Sequence, residues 1–111
     1  MNLKVLSTMT EKAKGVIGLD SLGDEDVYFF QGVDENQGFH MQGVTFPINI
    51  AFLDRDFGVL EISEMAPEVG KAKAPKNTTY AVETKAGYFE KKGIKVGDGW
   101  ERLHRMVSYN Q

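Results

Sequence analysis

Two histidines, a scatter of carboxylates and four serines are the side chains that could do chemistry in this sequence, and their spacing decides little. His40 and His104 are far apart, so a metal site would need carboxylates brought in by the fold. Asp54-Arg55-Asp56-Phe57-Gly58 resembles a fragment of a calcium loop. Its Gly is fifth, however, where an EF-hand requires Gly sixth and a distant Glu, so it reads as a hairpin turn. Ser7, Ser21, Ser63 and Ser108 stand in no Gly-x-Ser-x-Gly elbow. Gly93, Gly97 and Gly99 match neither a phosphate-binding loop nor a dinucleotide fingerprint. Glu61, Glu64, Glu83 and Asp54 are available for acid–base work, but no spacing selects a pair.

The elements that must position these groups are short. Residues 2–7 suggest a strand, and Thr8-Met9-Thr10-Glu11 has the spacing of a capping box. Met9, Ala13, Val16 and Ile17 then share a helical face that Gly18 would end, with Gly15 weakening the interior. Val27–Gln31, Phe39–Gln42, Asn49–Leu53 and Val59–Met65 read as strands, the last two joined by the Asp54–Gly58 turn with Gly58 supplying positive φ. Residues 66–77 lack periodicity and read as an exposed loop. Thr78–Thr84 reads as a strand, Ala86–Lys92 as two helical turns ending at Gly93, and Trp100–Tyr109 as a last strand carrying His104. The expected fold is α+β and mostly β. It is a small antiparallel or mixed barrel-like domain of about six short strands with one or two helices.

Composition bounds the function classes. At 111 residues one domain, 1–111, is expected. The absence of cysteine excludes disulfides, thiolate zinc sites, iron–sulfur clusters and a thiol nucleophile. The longest apolar runs, Val27–Phe30 and Ile50–Leu53, are far below the ~20 residues that span a bilayer. Residues 1–15 hold Lys4, Glu11, Lys12 and Lys14 rather than an apolar leader, so a soluble, cytoplasmic chain with no membrane partner is expected. The net charge of −3 divides into −7 for residues 1–66 and +4 for residues 67–111. Lys71, Lys73, Lys76, Lys91, Lys92 and Lys95 are therefore candidates for an anion or nucleic-acid surface, with the acidic overall balance against it.

Phe39-His40-Met41, followed by Phe46-Pro47-Ile48-Asn49-Ile50-Ala51-Phe52-Leu53-Asp54, resembles the signature of the family called domain of unknown function 192. Gly15-Val16-Ile17-Gly18, Met65-Ala66-Pro67, Tyr80-Ala81-Val82-Glu83 with Ala86-Gly87, and Gly93-Ile94 with Val96-Gly97-Asp98 extend the likeness over about residues 8 to 98. The family usually has Trp at His40, Lys-Asn-Thr at Gln42-Gly43-Val44 and Asp at Asn49, so the polar part of the signature differs here. The resemblance implies a small conserved domain, also carried by viruses of bacteria, in which a viral accessory protein is one reading. It further implies a small β-rich barrel-like domain with a helix packed across it. The first functional expectation is a non-catalytic binding or accessory module without cofactor, whose groove, lined by Phe39, His40, Gln42, Asn49, Tyr80 and Glu83, would take a small ligand or peptide. A hydrolase using His40 with Glu83 or Asp54 is the alternative from a different class.

Overall fold

The computed structural model describes residues 1–109. Seven strands and three helices appear among them, in the order β1 (Asn2–Leu6), α1 (Met9–Lys14), β2 (Asp26–Gln31), β3 (Gly38–His40), β4 (Ile48–Leu53), β5 (Val59–Met65), β6 (Lys71–Lys73), β7 (Tyr80–Lys85), α2 (Tyr88–Lys92) and α3 (Glu101–Tyr109). The fold is α+β and mostly β, as expected. The main sheet is open, with order β1-β2-β7-β4-β5, and β3 and β6 form a separate two-stranded ribbon. β1 runs parallel to β2 across the α1 connection, whereas all other pairs are antiparallel. The sheet therefore does not close into a barrel.

Alternation along the strands gives the sheet two apolar faces. Phe30, Ile48, Ile50, Phe52 and Ala81 face one way, into a cluster completed by Leu6, Val16, Met41, Val44 and Met65. Val27, Phe29, Ala51, Leu53 and Val82 face the other way, against Phe57, Tyr88, Phe89, Trp100, Leu103 and Val107. All six residues of β4 are consequently buried. On the first face the covering layer is the β3–β6 ribbon, whose Phe39 meets Phe30 and Phe52 edge-on at 5.6 Å each. On the second face it is α2 and α3.

Three local readings change. Residues 100–109 begin a helix rather than a strand: Trp100 accepts the first turn of bonds from His104, and Leu103 and Val107, four apart, are the buried positions. The expected strand pairing survives only at its start, where Gly99 bridges Gly58 and the Trp100 amide donates to Phe57. Lys71–Lys73, within the expected loop, is β6. Its three residues have weak β-propensity, and β3 supplies the ladder that orders them. In the β4–β5 turn Phe57, not Gly58, carries positive φ (64°). A Cβ at Gly58 would lie 2.9 Å from an Asp54 carboxylate oxygen, so the Asp54 side chain that caps this turn would have to shift.

Helix α1 has both capping-box hydrogen bonds at Thr8 and Glu11, and it stops three residues before Gly18. Gly15 caps it at φ 47°, ψ −120°, turning Val16 down into the core. The residues just before and after that turn form one wall of the site below.

Candidate functional site

A cleft of about 360 Å³ opens on the first face, between the α1–Ile17 segment and the start of the β3–β6 ribbon. Phe30 and Glu83 form its floor, Phe39, His40 and Met41 one wall, and Lys12, Gly15 and Val16 the other. Glu83 stands on β7 between its register partners Tyr28 on β2 and Ile50 on β4. Strand alternation aims it at the apolar face that Phe30 and Ile50 share. It is only 5% exposed. Among the described residues no group donates a hydrogen bond to its carboxyl, and none of the buried side-chain polar atoms is both sealed and unpartnered. The carboxyl oxygens therefore open onto the cleft. Burial alone pushes the Glu83 carboxyl up to about 7.

Gly15 keeps that floor clear. A Cβ built there would stand 3.2 Å from Phe30 Cζ and 3.3 Å from Glu83 Oε1, and its φ of +47° disfavours any side chain. Lys12, on the same wall, donates from Nζ to the carbonyls of Gln31 (3.2 Å) and Gly32 (3.0 Å), which holds α1 against the end of β2. Lys14 and Asp34 complete the charged rim.

Of the six residues selected from the sequence, Phe39, His40 and Glu83 meet in this cleft. His40 is exposed, and its Nδ1 accepts from the Gln42 amide at 3.2 Å, so a neutral ring carries its proton on Nε2. Neither histidine pairs with a carboxylate among the described residues. Gln42 is exposed and does not line the cleft; only its amide, as donor to His40, is near that wall.

Asn49 and Tyr80 lie on the opposite face of the sheet. Asn49 Oδ1 accepts from the Gly87 amide at 2.6 Å and Nδ2 donates to the Ser63 carbonyl at 3.4 Å, which ties β4 to the turn before α2. The acceptor it offers is one that an Asp at this position would also supply. Tyr80 packs between the rings of Phe29 (5.1 Å) and Phe57 (4.7 Å). Asp54 is spent within its turn, accepting from the amides of Asp56 and Gly58 at 2.9 and 2.8 Å. His104 stacks on Phe57 at 4.4 Å, on the outside of α3. Among the described residues no three potential metal-ligating side chains converge.

The candidate lysines do not form one surface. Lys71 and Lys73 flank Phe39 and His40 in a shallow depression on the ribbon, and Lys76 follows in an exposed turn. Lys91 and Lys92, from α2, pair with Asp24 and Glu25 of the acidic first half, and Lys85 joins Asp24 at 2.9 Å. Lys95 borders a second depression beside Asn49, Ile62 and Phe89. The two sequence halves thus neutralise each other where they meet. Sequence reading missed Phe30, Lys12 and the spatial role of Gly15. The capping box beside a glycine at residue 15 was the available signal that a helix ends there.

An open five-stranded mixed sheet, with a ribbon over one face and a cleft ending on a buried carboxyl, defines the class: a small α+β domain of the kind found in uncharacterised conserved families. The chain belongs to the domain of unknown function 192 family, described as an uncharacterized ACR, which matches residues 1–101. A protein of unknown function from Novosphingobium aromaticivorans DSM 12444 is similar in structure (TM-score 0.77, 27% identity), over 87% of this chain and 71% of that one. A "putative transcription regulator" from Sinorhizobium meliloti 1021 shares the fold (TM-score 0.77, 18% identity), over 87% of this chain and 78% of that one. No curated protein matches this chain. No helix among the described residues is long and apolar enough to cross a membrane.

Proposed function

We propose that this chain is a non-catalytic binding domain whose ligand is a small molecule held in the cleft above Glu83. The observation that carries the reading is a buried carboxyl without a protein partner on the floor of an open cleft with mixed polar and apolar walls. With no protein group bonded to them, the carboxyl oxygens are left to water or to a ligand that enters the cleft. The volume lies in the range of about 300–1,000 Å³ typical of small-molecule sites. A hydrolase reading gains nothing, since His40 bonds to a backbone amide and meets no carboxylate. An anion-binding reading is weakened by the acidic partners of Lys91 and Lys92.

A fragment screen followed by amide chemical shifts tests the proposal. Cleft ligands are expected to move the amides of Gly15, Val16, Phe39 and Glu83 and to raise the melting temperature by mass action. Hits confined to other surfaces, or none in the cleft, would overturn it.

A further inference from the structure

The chemical class of the cleft's ligand follows from what surrounds Glu83, and this step rests on the binding reading above. Among the described residues no cationic group forms an ion pair with the Glu83 carboxyl. Lys12 Nζ is already held by two backbone carbonyls. A hard metal ion would need about six to eight oxygen ligands, or several waters on a set of carboxylates. Here one carboxyl stands among aromatic and aliphatic walls, and no group of three ligating side chains converges among the described residues. An organic ammonium has different needs. One carboxylate neutralises it, and aromatic rings nearby stabilise it further. Phe30 and Glu83 both line the floor of the cleft, so an aromatic ring and the carboxyl border the same space.

We propose that the cleft takes a small organic cation, a protonated primary amine whose ammonium sits on the Glu83 carboxylate beside the Phe30 ring. The rim carries Lys12, Lys14 and Asp34, so charges of both signs face the outer end of the ligand.

The charged and titratable groups around Glu83 are Lys12 and Lys14 from α1, Asp34 after β2, His40 on β3 and Tyr28 beside it in the sheet. Amine binding requires the ionised carboxylate, so it strengthens as pH rises through the range in which Glu83 loses its proton.

The test titrates butylammonium, 4-aminobutyrate, butyrate and butanol into the labelled protein and follows the cleft amides. The two amines are expected to bind, with affinity rising about tenfold from about pH 6 to about pH 8. Glu83→Gln should weaken butylammonium by about tenfold or more and remove the pH dependence, while His40→Gln retains it. Glu83→Asp, which withdraws the carboxylate by one methylene, weakens binding but keeps the pH slope, and it serves should the Gln variant lose its native amide dispersion. The amine assignment is overturned if butyrate or butanol binds as tightly as butylammonium, if the affinity is flat with pH, or if no amine moves the cleft amides. Fragment hits in the cleft that are all acids or neutral molecules overturn the amine assignment and leave the binding reading standing. An empty cleft in both experiments overturns both.

Discussion

Glu83 and Thr84 are neighbours on β7, yet they point to opposite faces of the sheet and meet different surroundings. Thr84 is fully buried beside its register partner Asn49, on the face that α2 and α3 cover. The polar atoms there are consumed internally: the Thr84 hydroxyl donates to the Lys85 carbonyl at 3.2 Å, and Asn49 bonds at both ends of its amide. Glu83, on the face that α1 and the ribbon cover, has no protein partner among the described residues and opens onto the cleft. The two layers also differ in how they are held. Leu103 and Val107 sink α3 into its face, whereas α1 buries no residue and depends on its cap, on Lys12 and on the turn at Gly15. On one face the buried polar groups serve the fold, and the depression beside Asn49 ends on no unpartnered carboxyl. The other is a core left open over a carboxyl that the fold does not use.

The comparison breaks most visibly on the face under α2 and α3. Phe29→Ala removes a fully buried ring packed against Phe57 and Tyr80, and should cost about 3–5 kcal/mol in urea unfolding. A loss below about 1 kcal/mol would mean that this face is not the tighter core.

Next in size is the pH response of the open face. A carboxyl raised from 4.5 to about 7 binds its proton more tightly in the folded state than in the unfolded chain. Its penalty is absent below about pH 4.5, grows as pH rises to about 7, and is full above that, at about 3 kcal/mol. The stability of the native chain relative to Glu83→Gln should therefore improve by about that amount as pH falls from about 8 to about 4.5. The exposed carboxylates of Glu11, Asp24 and Glu25 are held below their ordinary values, so their contributions are lost only at lower pH. A difference between native and variant that stays constant with pH would show Glu83 to be solvated.

Asn49→Ala, on the face under α2 and α3, strands the Gly87 amide and should cost about 1–3 kcal/mol without altering ligand shifts in the cleft. The smallest effect belongs to α1. Thr8→Ala removes the cap and should cost about 1 kcal/mol, with faster amide exchange confined to the wall around Lys12 to Gly15. Exchange spreading through β2 and β7 would mean that this wall is no more weakly held than α3.

Local chemistry carried much of the fold. The capping box at Thr8 and Glu11, the β4–β5 hairpin and the short helix between Gly87 and Gly93 each depend on residues within a few positions of one another, and each stands where the local pattern put it. Two elements were lost to the same locality. Lys71–Lys73 has no strand signal of its own, because its order comes from pairing with β3 more than thirty positions away. Gly97-Asp98-Gly99 does turn back toward β5, but a helix follows because Leu103 and Val107 bury together only at helical spacing.

The candidate site followed the same division. Residue type picked out Phe39, His40 and Glu83, and also Asn49 and Tyr80, since a sequence shows which side chains are polar or aromatic but not which face they share. The open sheet settled that. Strand alternation fixed that neighbouring side chains part company, while the strand order and the placement of α1, the ribbon, α2 and α3 decided which face kept the cleft above Glu83. The sequence alone determined the strand-rich class, the turns and the presence of a carboxylate in an apolar strand. Only the tertiary structure decided that Glu83 lies buried without a partner, because its environment is assembled from β2, β4, the end of α1 and the ribbon, elements that meet through long-range packing and not through any local pattern.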